Sequence, residues 1–216
     1  LFTKLSNSIT LAVKQGGGIG DPDSNFKLRL AVDRARGANM PKENIERAID
    51  RALNSGTESV EELLYEGFAP GGVAVIVEAV TDNKQRTFSF LKSTFDKNGG
   101  TLGSSGSVSY LFEKRGEIVI SKEGKSADEL LNTGIEAGVI DYEEESDSIF
   151  FYTEHNLLQS TKKIFEDKNL KIQSAKLIYY PRSTMELSSD AQNKVFDFIE
   201  KIDEIDDVQE TYTNLG

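Results

Sequence analysis

The stretch Glu62-Leu-Leu-Tyr-Glu-Gly-Phe-Ala-Pro-Gly-Gly-Val-Ala-Val-Ile-Val-Glu-Ala-Val-Thr81 decides how this chain is built. Two runs rich in Val, Ile, Leu and Tyr flank Ala69-Pro70-Gly71-Gly72, where Pro fixes φ and Gly leaves it free, the chemistry of a tight turn. The runs read as strands over 63–68 and 73–81 joined as a hairpin. Everything before this point has the period of helices, so the change of period at Glu62 marks a domain boundary.

Working back from it, Leu1, Leu5, Ile9, Ala12 and Val13 form one apolar stripe, stopped by Gln15-Gly16-Gly17-Gly18-Ile19-Gly20-Asp21-Pro22. A second stripe, Leu28, Ala31, Val32 and Ala35, closes at Gly37. A third helix opens at Met40-Pro41, carries Ile45, Ala48, Ile49, Ala52 and Leu53 on one face, and ends at Asn54-Ser55-Gly56. Three short helices with one apolar face each can bury those faces only against one another or the next domain.

Working forward, helical periodicity runs from Asn83 to Asn98, and a Gly-rich connection, Gly99 to Gly106, leads into an expected strand over 107–113. After Arg115-Gly116 come a strand (117–121), a helix (126–137), two strands (139–143 and 148–153), a helix (156–167) and a strand (171–180), the βαββαβ order of a ferredoxin-like split unit. Beyond Pro181, Ser188 or Ser189 caps a helix with Val195, Phe198, Ile199 and Ile202 on one face, followed by a strand over 208–213. A lone helix and strand cannot make a domain, so they are expected to return to the middle block. The fold class is therefore α+β in three domains. A helical domain occupies 1–60, a discontinuous ferredoxin-like α+β domain 61–115 plus 181–216, and an inserted ferredoxin-like domain 116–180.

Composition narrows the chemistry. The 216 residues hold no Cys and one His, which removes thiolate nucleophiles, Cys-ligated zinc and most catalytic constellations. His155 has neither Cys nor a second His for company and reads as a surface residue. No apolar run approaches the length of a membrane span. No catalytic residue, metal site or cofactor is expected; a binder is. The chain begins at Leu1 and is expected to be a fragment whose targeting signal is out of view.

Charge is uneven along the chain. The total is −11, yet residues 1–56 carry nine Lys/Arg against six Asp/Glu, or +3, and the remainder sixteen against thirty, or −14. Lys27, Arg29, Arg34, Arg36, Lys42, Arg47 and Arg51 lie in one stretch of the helical domain. An acidic body repels phosphate, so a nucleic-acid partner is expected to meet this stretch. From charge alone the preferred reading is a solvated helical surface, because Lys42 with Glu46 and Glu43 with Arg47 pair at i,i+4.

Two further motifs bear on binding. The Gly runs at 16–20 and 99–106 lack both the G-x-G-x-x-G spacing after a strand and the Gly-Lys-Ser/Thr ending of a phosphate loop, so they read as turns. At Thr81-Asp82-Asn83-Lys84-Gln85-Arg86-Thr87 the Asp or Asn caps the next helix, while Lys84 and Arg86 occupy a first turn that disfavours cations. Tolerated surface cations and an anion-holding helix start both fit. The acidic runs 141–147 and 203–207 lack calcium-loop spacing and read as solvated turns.

Several collinear strings resemble one family. They are Gly16-Gly17-Gly18 with Asp21-Pro22-Asp23-Ser24-Asn25 and Leu28-Arg29, and Ala38-Asn39-Met40-Pro41-Lys42-Glu43-Asn44-Ile45-Glu46-Arg47-Ala48-Ile49. Tyr65-Glu66-Gly67, Pro70-Gly71-Gly72-Val73-Ala74, Thr81-Asp82-Asn83 with Arg86-Thr87, Lys97-Asn98-Gly99-Gly100 and Gly106-Ser107-Val108 follow. They are similar to the YebC family, which includes a mitochondrial translational activator of cytochrome c oxidase subunit I. The resemblance covers residues 1 to about 116 by motif and the rest by architecture. It implies three domains, the third inserted in the second, and a non-enzymatic regulator of gene expression. It also implies a translation factor binding the ribosome or RNA, with a DNA-binding transcriptional regulator as the alternative. Arg29, Lys42, Arg47, Lys84 and Arg86 become candidate nucleic-acid contacts by that resemblance. The departures at Ile19-Gly20, Phe88-Ser89-Phe90 and Tyr212-Thr213-Asn214-Leu215-Gly216 favour an organellar member in the mitochondrial matrix, with the bacterial cytoplasm as alternative.

Overall fold

The computed structural model describes residues 2–54 and 60–216, so Leu1 of the first stripe and the Ser55-Gly56 helix stop lie outside the described residues. The chain divides into two compact units, 1–113 with 181–216, and 114–180.

The first unit opens with α1 (Phe2–Gln15), α2 (Phe26–Gly37) and α3 (Lys42–Asn54). Leu5, Ile9, Ala12 and Val13 of α1 meet Leu28, Val32 and Ala35 of α2 and Ile45, Ala48 and Ala52 of α3 in one core, with Met40 between. Leu53 falls off this stripe and is half exposed. The Gly-rich stop after α1 has a steric cause. Asn25 caps α2 by accepting from the Leu28 N–H at 3.2 Å, and its amide donates to the carbonyls of Ala12 and Ile19 at 3.0 Å each. A Cβ at Gly16 would lie 2.0 Å from that amide nitrogen, which no side chain permits.

The hairpin follows as β1 (Glu61–Phe68) and β2 (Ala74–Thr81), antiparallel from Glu61 opposite Thr81 to Phe68 opposite Ala74. Next come α4 (Lys84–Lys97) and the two-residue β3 (Thr101–Leu102), which pairs with Gly67 and Phe68. The chain then runs through β4 (Phe112–Ser121), α5 (Ala127–Glu136), β5 (Asp141–Glu144), β6 (Ser148–Glu154), α6 (Leu158–Asp167) and β7 (Ile172–Pro181). It returns as α7 (Ser189–Asp203) and β8 (Val208–Thr213).

The first sheet has the order β3-β1-β2-β8. It holds the four strands and two helices of a ferredoxin-like unit in connection order ββαβαβ. β2 lacks polar alternation because both of its faces are covered. Val75 and Val77 pack with Leu91 and Phe95 of α4 and Val195, Phe198 and Ile202 of α7, where Phe95 and Phe198 meet edge-to-face at 4.9 Å. Ala74, Ile76 and Val80 are buried on the other pleat, where α1 lies against β2 and β8.

The expected strand over 107–113 does not form. A 3-10 turn occupies Ser109–Leu111, and β4 starts at Phe112 and continues through Arg115-Gly116 without a break. The buried carboxylate of Glu66 accepts from the backbone N–H groups of Gly106, Val108 and Ser109, each at 2.8 Å, which bends the segment away from a ladder.

The second unit is the βαββαβ block, with sheet order β5-β6-β4-β7, so its first strand lies between its third and fourth. Helices α5 and α6 cover one face, where Phe151 and Phe165 lie 5.2 Å apart. On the other, Tyr152 and Tyr180 lie 4.9 Å apart and the Arg115 guanidinium sits 3.9 Å from the centre of the Tyr180 ring.

Candidate nucleic-acid interface

The nine cations read from the sequence fall into groups with different surroundings. Arg29 is engaged within its own loop: its guanidinium donates to the carbonyls of Pro22 at 3.1 Å and Asp23 at 2.7 Å, bracing the turn before α2. Arg34 pairs with Glu210 of β8 at 2.6 Å, joining α2 to the sheet. Lys27 reaches the Gln15 side chain. These three hold the helical part together or dock it.

Lys42 is 83% exposed and its pair with Glu46 is long, 3.5 Å, a contact of little energy at such exposure. Arg36 and Arg47 are exposed and make no ion pair among the described residues. Arg51 donates to Thr10 Oγ1 at 3.1 Å and Asn7 Oδ1 at 3.4 Å, both neutral partners. Arg36, Lys42, Arg47 and Arg51 therefore keep most of their charge available to an incoming phosphate.

At the start of α4, Asn83 is the cap, its Oδ1 accepting from the Arg86 N–H at 3.0 Å. The Arg86 guanidinium donates to Asp82 at 2.9 Å and to both oxygens of Asp207 at 3.0 and 3.1 Å. The Asp207 side chain is 9% exposed and also accepts from Thr87 Oγ1 at 2.8 Å. The anion held at this helix start is thus the chain's own carboxylate, brought from 121 positions away. Lys84 pairs with Glu61 of β1 at 2.7 Å.

Between the helical part and the sheet lies a cleft of about 540 Å³. Its walls include Thr10 and Arg51 on α1 and α3, Arg86 and Phe90 on α4, and Asp206 and Asp207 on the turn before β8. Phe90 and Asp206 were not among the expected contacts. The available signal was Phe90 itself, an aromatic off the buried stripe Thr87, Leu91 and Phe95 of α4. Asp206 carried none, since only the folded chain brings its turn beside α4.

Helices that pack on one sheet, a second βαββαβ sheet, and exposed cations on the helices define an α+β protein. The chain belongs to the TACO1/YebC family. Residues 1–55 match the TACO1/YebC protein N-terminal domain, and residues 60–215 match the TACO1/YebC second and third domain. A relative from Geobacillus thermodenitrificans is 45% identical over 218 residues, covering 100% of this chain and 87% of its own. One from Roseiflexus castenholzii is 44% identical over 220 residues, covering 100% of this chain and 86% of its own. Both carry the name "Probable transcriptional regulatory protein". The crystal structure of a conserved hypothetical protein from Aquifex aeolicus superposes with a TM-score of 0.92 at 40% identity, covering 100% of this chain and 88% of that one.

Proposed function

We propose that this chain is a non-enzymatic regulator of gene expression that acts in translation, contacting ribosomal or messenger RNA through its helical domain. The observation that carries the proposal is the charge partition, +3 over residues 1–56 against −14 over the remainder. Arg36, Lys42, Arg47 and Arg51 supply the cations with the least internal compensation, and phosphate contact through such cations releases counterions. The three-domain division, 1–60, 61–115 with 181–216, and 116–180, belongs to the same proposal: it separates the RNA-facing part from the acidic remainder. The names of the relatives support a regulatory role, and their bacterial sources favour the bacterial cytoplasm over a mitochondrial matrix.

Co-sedimentation with ribosomes across a salt series tests it. Binding is expected to fall steeply with salt, and Arg36→Glu with Arg47→Glu is expected to weaken it about ten-fold and flatten the salt slope. Lys97→Glu with Lys163→Glu is expected to leave it nearly unchanged. No ribosome association at any salt, or equal losses for the two pairs, defeats the proposal.

The second reading is a regulator bound to promoter DNA, favoured by the name the relatives carry. A gel shift that prefers a specific duplex over a scrambled one, together with no ribosome association, would establish it in place of the first.

A further inference from the structure

We infer that the cleft between the helical part and the sheet of the first unit takes a single unstacked nucleotide of an RNA strand, one whose base carries an exocyclic amino group. The inference rests on the RNA reading above. At about 540 Å³ the cleft has the size of a small-ligand site.

Three features of its walls specify the ligand. The first is aromatic. Phe90 is 53% exposed, stands outside the core packed by Leu91 and Phe95, and continues the Arg86, Phe90, Thr94 stripe that faces the cleft. A phenyl ring left half in water beside a cavity is a stacking surface for a base.

The second is a cation. Arg51 reaches the cleft from α3, and its partners, Thr10 and Asn7, are neutral. A phosphate oxygen is the partner a guanidinium in this setting lacks.

The third is a pair of carboxylates. Asp206 accepts no hydrogen bond among the described residues, and Asp82 has only its exposed pair with Arg86. A ligand that was anionic throughout would meet these two groups unfavourably. A nucleotide divides its chemistry: phosphate for Arg51, ring face for Phe90, and an amino group, from adenine, cytosine or guanine, to donate to a carboxylate. Uracil offers carbonyl oxygens in place of that donor and is disfavoured.

The test uses the full chain and labelled single-stranded oligomers of A, C and U, read by fluorescence anisotropy at low salt. A and C oligomers are expected to bind more tightly than U. Phe90→Ala is expected to weaken A and C binding about five-fold or more, the low end of what removing one aromatic stack costs. Phe90→Trp should restore it, and Phe88→Ala, an exposed aromatic elsewhere on α4, should have no effect.

Equal binding of the three oligomers, or equal losses for Phe88→Ala and Phe90→Ala, overturns the cleft assignment and leaves the RNA reading intact. Deoxy oligomers of A and C are run alongside, and their binding more tightly than the ribo forms overturns the assignment to RNA. If no oligomer binds, ribosome co-sedimentation still decides the RNA reading, and the cleft is judged by AMP, CMP and UMP at millimolar concentration. Amide shifts at Phe90, Thr94 and Asp206 with AMP and CMP exceeding those with UMP uphold it, and their absence refutes it.

Discussion

Glu66 is 6% exposed and accepts three backbone N–H groups at 2.8 Å each, so one carboxylate fixes the path of the chain between β3 and β4. Burial pushes its pKa up, but the N–H groups of Gly106, Val108 and Ser109 outweigh that and hold the carboxyl below its ordinary value. A lowered folded-state pKa contributes stability that is present above the unfolded value, about 4.3, and is lost as pH falls through the folded value. Glu66→Gln is therefore expected to lower stability at neutral pH, with the deficit shrinking below about pH 4. Urea midpoints followed at an amide of the first unit between acid and neutral pH check this, and a pH-independent deficit counts against it. Glu66→Ala leaves three buried donors unmatched and should cost about 3 kcal/mol in the same measurement. None of this was legible beforehand, because local apolar pattern argued for a strand over 107–113 and the acceptor that overrides it lies 40 positions earlier. The expected contacts share the difficulty. Lys84 and Arg86 were visible as first-turn cations, but Glu61 and Asp207, which engage them, come from other elements.

Elements with strong periodicity were readable because one face of each decides its burial. Leu53 and the undescribed Leu1 apart, the stripes of α1, α2 and α3 and the two-sided apolar run of β2 lie where the residue pattern puts them. β3, with two residues, is too short to leave a pattern. In the second unit the packing of α5 on β6 depends on a missing side chain: a Cβ at Gly134 would fall 2.5 Å from the Phe151 ring. Gly134→Ala gains helix propensity, about 1 kcal/mol, but forces helix and sheet apart, and overpacking of this kind costs about 1–3 kcal/mol. Net destabilisation of the second unit is expected, with loss of amide protection in β6 preceding any in β2. An unchanged or raised stability would show that Phe151 moves aside freely.

At the scale of the molecule, the chain leaves and rejoins the first unit at one place. The Arg182 N–H donates to the Leu111 carbonyl at 2.8 Å, and the Arg182 guanidinium pairs with Glu113 at 3.3 Å. Replacing residues 114–180 by a short Gly-Ser bridge is therefore expected to leave the first unit folded, with amide spectra of β1, β2 and β8 little changed; collapse of those signals would show that the insertion is required. The return of the chain also sets a schedule. β8 closes the sheet by pairing with β2, and Asn214 Oδ1 accepts from the Ala74 N–H at 2.8 Å, a bond spanning 140 positions. At cellular synthesis rates that interval is on the order of 10 s, during which the far edge of β2 stands unpaired while the inserted unit, complete by residue 180, has already been made. The later-numbered unit should acquire protease resistance on the ribosome first, and pulse-labelled nascent chains arrested before and after residue 214 would reveal the order. Synthesis of β8 is then the event that closes the sheet forming one wall of the cleft.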